Sequence, residues 1–391
     1  MEELKIFIIT GEESGDLLAS EVVEKLYKVT PQKIIINAVS GKNLAKYNIN
    51  SIFPQSDIAV MGFVEVIPAI PRVLKRINDT VKYIKLFKPD VILTVDSPDF
   101  CFRVIKKLKK SDYNHQTELI HMVAPTVWAY RKKRAAKIAK LYHKLLVLFP
   151  FEEQYFTPYG LATKFIGHPL IYKDKPKISQ DIYTKYDIDK SSKIIVLTLG
   201  SRDKEVEKLQ QIYKDALLNL ALTEENLTII LPSFARYKDF LEKWQKDLSY
   251  PTKIILDEAD KIEFFSKAFC VIAKSGTNTI EIAKQGSLFM VCYKVSLFTY
   301  LLLKIMVHSK YVNLINILAQ KEIIPEYIQY DCTAKNISNK LKQYLHDPQL
   351  VLKQKTQQNK YISAFLDKKQ NSPALLAAKE ILLKILPKQN N

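Results

Sequence analysis

Several apolar runs in this chain end in residues able to do chemistry. In "TVDSPDFCFRV" a stretch of Val, Ile and Leu gives way to Asp96, with Asp99 three residues later. A carboxylate at the end of a strand can take a proton from a substrate hydroxyl, or orient it. Ser-Pro-Asp is good turn chemistry in its own right, which suffices to explain Asp99; Asp96 precedes the turn and needs another reason. The pair has no His or third acid to support metal binding.

Two further loops suit anions. In "LTLGSRDKEVEKL" a strand runs into Gly200-Ser201-Arg202 and then directly into a helix. Free backbone N–H groups and the positive end of the helix dipole favour an anion there, and an arginine can clasp phosphate oxygens in a bidentate pair. In "AKSGTNTIEIAKQG" the turn Ser275-Gly276-Thr277 repeats the arrangement. Thr277, Asn278 and Glu281 share roughly one helix face, and a carboxylate one turn in suits a ribose diol. Each loop also fits an ordinary capped helix with an acid near its start. Together they make a nucleoside diphosphate the more credible ligand. The first loop differs: "GEESGDLLAS" (Gly11 to Ser20) carries three acids where a dinucleotide turn would carry G-x-G-x-x-G, and acids repel phosphate.

Two stretches combine apolar and basic residues. "MGFVEVIPAIPRVLKRI" sets Val64, Ile67, Ile70, Val73, Leu74 and Ile77 on a stripe beside Arg72, Lys75 and Arg76. Pro68 and Pro71 make it a poor interior helix, and the composition suits either an interfacial segment or a core-packed helix. "APTVWAYRKKRAAK" follows Trp128 and Tyr130 with Arg131-Lys132-Lys133-Arg134, a patch for nucleic acid or anionic lipid. No aromatics repeat there at base-stacking spacing.

The elements that must hold these loops alternate. "LKIFIIT" leads to a helix with Leu18, Val22, Leu26 and Val29 on its apolar face; "KIIINAVS", "VILTVDSPDF", "TELIHMVAP" and "KLLVLFPF" follow. The pattern restarts with "KIIVLTLG", a helix through Val206, Leu209, Tyr213 and Leu217, then "LTIILPS", "KIILDE", "FCVIAKSG" and "LFMVCYKV". Near-continuous apolar strands separated by helices indicate buried parallel sheets. The fold class is α/β, with two doubly wound Rossmann-like domains facing across a cleft and ligands at the carboxyl ends of the strands. The polar stretch Gly167–Ser192 reads as the linker, placing the first domain at 1–170 and the second at 171–345. A helical tail over 346–391 either crosses back to the first domain or swaps between subunits of a homodimer.

The 391 residues suffice for two domains, and 47% apolar content is a folding composition. The +18 charge, from 59 Lys+Arg against 41 Asp+Glu, suits nucleic acid, an anionic membrane or a phosphorylated substrate, and equally a lysine-rich solvated surface. Four scattered cysteines without C-x-x-C spacing read as core thiols in a reducing compartment. The run "VSLFTYLLLKIMV" has nine uncharged residues between Lys294 and Lys304, short of the roughly 20 that cross a bilayer. The start "MEELK" does not read as a secretory signal.

In this order, "GEESGD", "MGFVEV", "KPDVILTVDSPDF", "APTVWAYRKKR", "PFEEQYF", "FIGHPL", "LGSRDKEVE", "SGTNTIE" and "IIPEYIQ" resemble the lipid A disaccharide synthases, bacterial family 19 glycosyltransferases of GT-B fold. The likeness extends from Gly11 to Gln329. It departs at Leu199, where the family usually has Pro, and at Leu314-Ile315-Asn316, usually Leu-Pro-Asn. The resemblance implies transfer of 2,3-diacylglucosamine from UDP to 2,3-diacylglucosamine 1-phosphate (lipid X). The product would be a β-1,6-linked tetraacyl disaccharide 1-phosphate, made without a metal cofactor by a peripheral protein on the inner face of the cytoplasmic membrane. It also implies Asp96 as base, with Glu12 and Asp99 sharing the catalytic work. Gly200, Ser201, Arg202, Ser275, Gly276 and Thr277 would hold the diphosphate and Glu281 the ribose, with Asn316 and Gln329 near the donor. Ser14, Gly15 and Asp16 would face the sugar. Acyl chains favour lipid contact by Phe63, Val64, Val66, Ile67, Ile70, Val73 and Leu74, with Trp128, Arg131 and Arg134 alongside. Leu297–Met306, with Lys304 and Lys310, is a second candidate contact. The competing readings are a UDP-sugar 2-epimerase, a nucleic-acid-binding module and an inactive membrane-surface scaffold; the expectation is that no nucleic acid is bound.

Overall fold

The computed structural model describes residues 3–59, 63–129, 133–176, 178, 180–220, 226–306, 309–366 and 371–383, apart from the side chains of 63–68, 298, 302, 303 and 306. The chain forms two compact units, Met1–Tyr172 with Phe365–Asn391, and Lys173–Ala364. The helix Pro348–Ile362, which the sequence reading placed in the tail, belongs to the second unit. It is held there by Gln354 and Gln358, buried amides that donate to the carbonyls of Phe289 and Ser287 at 2.7 Å each.

The first unit is built on six parallel strands: β1 (Leu4–Thr10), β2 (Ile34–Val39), β3 (Val91–Val95), β4 (Glu118–Met122), β5 (Lys144–Val147) and β6 (Ala162–Phe165). Their order across the sheet is β2-β1-β3-β4-β5-β6. Because successive side chains alternate between faces, Phe7 and Ile9 of β1 enter one core with Ile77, Val81 and Ile84. Leu4, Ile6 and Ile8 enter the other with Ala19, Val22 and Leu26. That second core is completed by Ala374, Ala377, Ala378 and Ile381 of the helix Pro373–Leu382. A Lys144–Glu380 ion pair, 2.6 Å, ties the same helix to β5.

The second unit repeats the design with β7 (Lys193–Thr198), β8 (Leu227–Pro232), β9 (Thr252–Ile255), β10 (Cys270–Lys274), β11 (Phe289–Tyr293) and β12 (Glu326–Ile328). The order is β12-β11-β10-β7-β8-β9, again parallel throughout. Val206, Leu209, Tyr213 and Leu217 are buried against it, as their helical spacing requires. All four cysteines are free and buried.

The prolines behave differently from the sequence reading. The helix Phe63–Phe87 runs through Pro68 and Pro71. Each forfeits one backbone bond, and the ring's fixed φ is itself helical. Buried Ile77, Val81 and Ile84 anchor its later turns. No described helix is long and apolar enough to cross a membrane.

A short turn after β5, Pro150–Tyr155, closes on Glu152, which is 2% exposed. Its carboxyl accepts from Leu148 N at 3.2 Å and Phe149 N at 3.0 Å. Burial pushes its pKa up to about 8, against those hydrogen bonds and a Trp128 contact that favour the charged form.

Two predictions concern stability. Ile381→Ala should cost about 2–5 kcal/mol in urea unfolding, the range for a buried Ile cut to Ala; a loss under about 0.5 kcal/mol would mean the tail helix is not part of the core. Glu152 holds its proton in the folded state between its ordinary 4.5 and about 8, so its contribution is complete below 4.5 and fades as pH rises through 8. Glu152→Gln should therefore gain stability relative to wild type as pH rises across that window, measured by thermal unfolding at pH 5 and pH 8. A pH-independent difference would refute the buried neutral acid.

Candidate active site

Both sheets contain a point where the strand order reverses: between β1 and β3 in the first, and between β7 and β10 in the second. Loops leaving such a pair of strands diverge and open a crevice. "GEESGD" follows β1, Asp96 follows β3, Gly200-Ser201-Arg202 follows β7, and Ser275-Gly276-Thr277 follows β10. The chemistry-bearing loops therefore occupy the two reversal points, one set on each unit.

On the first unit, Asp96 (φ 53°) and Ser97 (φ 42°) are consecutive left-handed residues. Each costs of order 1–3 kcal/mol. Asp96 N donates to Met122 O at 3.0 Å, and the helix Pro98–Lys109 begins at once. The turn is pressed against two glycines. A Cβ on Gly11 would collide with the Ser97 side chain, and one on Gly15 would sit 3.1 Å from Val95 O. Glu12 lies between them, beside Asp96. Burial raises the pKa of the half-buried Asp96, against a hydrogen bond from Ser97 N. Burial, and then the charge of Asp96, raise that of Glu12. Neither carboxylate forms an ion pair with any described cation. The result is a pair of acids whose proton affinity is shifted toward neutrality, which is what a general base requires.

Asp99 stands apart from this pair. It is exposed at the first turn of its helix and bound to Arg134 at 2.7 Å. Ser14 is exposed in the first turn of the helix Glu13–Val29, whereas Gly15 and Asp16 are buried. Asp16 is fully buried, and its carboxylate accepts from Gly41 N at 2.8 Å and Asn43 N at 2.7 Å. The reading of Asp16 as a sugar contact is corrected on that ground: both its oxygens hold the loop after β2. Gln55 secures the same region, donating to Thr10 Oγ1 at 3.0 Å and to Glu12 O at 3.2 Å.

On the second unit, Gly200 takes φ 110° and the exposed Ser201 and Arg202 lead into the helix Asp203–Leu218. Thr198 Oγ1 accepts from Lys274 N at 3.0 Å and Asn278 Nδ2 at 3.1 Å, so the two loops are joined at their roots. Ser275 is half-buried, its N–H donating to Cys292 O at 3.1 Å. Gly276 and Thr277 are exposed at the start of Asn278–Lys284. Glu281, one turn in, pairs with Lys261 at 3.2 Å.

Asn316 and Gln329 are corrected as ligand contacts. Asn316 is fully buried: its amide donates to Ile324 O at 2.7 Å and Glu326 at 2.8 Å, and accepts from Ile323 N and Ile324 N. A fully satisfied buried amide has nothing left for a ligand. Gln329, left-handed at φ 53°, clamps both backbone groups of Val295. Both residues shape the loops around β11 and β12.

The expected lipid surface divides. Ile70 and Leu74 are exposed beside exposed Arg72 and Lys75, whereas Val73 packs against the core. Trp128 is half-buried edge-on to Phe151 at 5.6 Å. Arg134 lies over Phe102 at 5.2 Å and is held by Asp99, so it is not a free surface cation. Arg131 lies outside the described residues, as do the side chains of Phe63, Val64, Val66 and Ile67. In Leu297–Met306, Leu297, Leu301 and Ile305 are exposed on one stripe.

Sequence reasoning missed Glu205, Lys274 and Arg236. Lys274 is the last residue of β10 and bonds Glu205 Oε1 at 2.8 Å. Arg236 donates to Ser201 O from the loop after β8. The signal available was position: Lys274 closes β10, Glu205 stands in the first turn of the helix after the Gly200–Arg202 loop, and Arg236 follows β8. Among the described residues no three His, Cys, Asp or Glu side chains group as a metal site.

Comparison with known proteins places this geometry in context. A sequence model described as Lipid-A-disaccharide synthetase matches residues 6–381. The lipid-A-disaccharide synthase of Rickettsia bellii (strain OSU 85-389) is 38% identical over 388 residues, covering 96% of this chain and 98% of the relative. Among solved structures, MurG of Acinetobacter baumannii superposes with a TM-score of 0.59 at 15% identity, over 98% of this chain and 100% of that one. UDP-GlcNAc 2-epimerase from Neisseria meningitidis, bound to UDP-GlcNAc, gives 0.55 at 14%, over 98% and 99%. At these identities the structures show the shared fold alone.

Proposed function

The chain belongs to the lipid-A-disaccharide synthetase family, and from that premise we propose that it joins UDP-2,3-diacylglucosamine to 2,3-diacylglucosamine 1-phosphate with inversion at the anomeric carbon. The products are the β-1,6-linked tetraacyl disaccharide 1-phosphate and UDP. The observation that carries the mechanism is Asp96: a half-buried carboxylate in a strained turn, raised in pKa and without a cationic partner among the described residues.

Asp96 takes the proton of the acceptor 6-hydroxyl as its oxygen bonds to the anomeric carbon. The bond from that carbon to the diphosphate oxygen breaks, and UDP leaves with the electron pair. Glu12 beside Asp96 orients the hydroxyl. The second unit supplies the other requirement, with Ser201 N–H and Arg202 meeting the leaving charge, supported by the Ser275–Thr277 turn. Glu281 takes the ribose. No metal cofactor enters this proposal, because fixed donors supply the stabilisation.

Exposed Ile70 and Leu74 with Arg72 and Lys75, and exposed Leu297, Leu301 and Ile305, support peripheral attachment to an anionic membrane face. Substrates with acyl chains reside there, and each buried CH₂ is worth about 0.8 kcal/mol. A 2-epimerase acting on a soluble nucleotide sugar would have no use for those surfaces.

The test is UDP release and disaccharide formation from UDP-2,3-diacylglucosamine and lipid X in detergent micelles. Asp96→Ala should lower kcat by about 10²–10⁴, the usual worth of a positioned base, with thermal unfolding near wild type. Arg202→Ala should lower kcat/KM for the donor by about 10². Full activity in Asp96→Ala would remove the base assignment; a wild-type protein that binds UDP but makes no disaccharide would remove the substrates.

A further inference from the structure

The slot at Gly200–Arg202 is filled by the protein's own anion. Glu205, third residue of the helix Asp203–Leu218, curls back over Gly200, where there is no Cβ to exclude it. Ser201 N donates to its Oε2 at 3.1 Å, and Lys274 Nζ and Arg202 Nη1 approach its Oε1 at 2.8 and 3.4 Å. One backbone N–H and two cations, drawn from the loop after β7 and the last residue of β10, thus converge on a single carboxylate. This is the donor set that cradles a phosphate.

We propose that Lys274 is a further phosphate-binding residue of the nucleotide half-site, and that Glu205 is an internal stand-in which a nucleoside diphosphate displaces. The proposal rests on the donor-site reading given above. Two cations against one carboxylate leave the slot one positive charge in excess, which an incoming diphosphate neutralises. Burial acts to raise the Glu205 carboxyl, but the bond and charge of Lys274, with Ser201 N–H and Arg202, outweigh it and hold it below its ordinary value. It is therefore ionised, and competes for the same donors. Lys274 is only 15% exposed and lies 5.5 Å from the Tyr293 ring centroid, so its ammonium has little freedom to move elsewhere. Arg236, bonded to Ser201 O, fixes the loop from its other side, leaving the Ser201 N–H free to exchange one acceptor for another.

A purely structural helix cap would predict otherwise. Glu205 as a cap would stabilise the fold and leave nucleotide affinity alone, and Lys274 would matter only to Glu205.

Calorimetric titration of the full chain with UDP and with uridine separates these cases, because uridine lacks the diphosphate. Lys274→Met should weaken UDP about tenfold, the worth of one charge-assisted bond, with uridine unchanged. Glu205→Gln should strengthen UDP several-fold, again with uridine unchanged. Lys274→Gln, which keeps a hydrogen bond to Glu205 while losing the charge, should behave as Lys274→Met if the latter unfolds. Equal UDP-to-uridine ratios in wild type and variants would overturn the inference. So would Glu205→Gln weakening UDP, since the carboxylate would then be holding Lys274 in place. A wild-type protein that fails to bind UDP would instead overturn the donor-site reading itself.

Discussion

Two successive left-handed residues, Asp96 and Ser97, are the constraint around which the first unit is arranged. Backbone in that region is unfavourable for side-chain-bearing residues and persists only when its surroundings leave no alternative. Here the surroundings are Gly11 and Gly15, which bring the loop after β1 hard against the turn. That loop is in turn fixed by Asp16 and Gln55: Asp16 accepts from the backbone after β2, and Gln55 donates to the Thr10 hydroxyl and to the carbonyls of Thr10 and Glu12. Of the polar side chains in "GEESGD", Asp16 braces the loop from inside, while Glu12 is set beside Asp96. Strain, glycine spacing and buried acid together hold one carboxylate half out of water.

The second unit reaches its site by the same topology with the opposite charge. Both crevices arise where neighbouring strands send their chains in opposite directions, so the sheet needs no special residues to create them. What differs is the content of the loops. In the first, burial raises the proton affinity of two acids that lack a cationic partner among the described residues, and the charge of Asp96 raises that of Glu12 further. In the second, an N–H group and two cations compete for a single acid. One scaffold thereby supplies a place for a proton acceptor and a place for an anion.

Much of this was legible from sequence because parallel strands buried on both faces are continuous apolar runs. Ten of the strands follow such runs, and the exceptions are instructive. β6 and β12 lie at sheet edges, half exposed along their length, and neither carries an unbroken apolar signal. Asp96, Arg202 and Glu281 drew attention in the sequence because each sits at the close of an apolar strand or near the start of a helix. Asp16, Asn316 and Gln329 were misread because a buried polar residue that holds backbone has the same identity as one that holds a ligand. Only the partners distinguish them, and these come from residues between 7 and 34 positions away. Lys274 escaped notice because a lysine in a chain with 59 basic residues carries no signal until its neighbour is known.

The helix Pro373–Leu382 closes a core whose other walls are Leu4, Ile6, Ile8 and the helix Glu13–Val29. Those walls leave the ribosome before the helix does, with the whole of Lys173–Ala364 made in between. During synthesis the second unit can finish folding while the first still shows Ala19, Val22 and Leu26 to water. Domains ordinarily fold in the order they are made. Here the half translated first is completed last, so a prematurely terminated chain presents an open apolar face to the chaperones and proteases that survey nascent proteins.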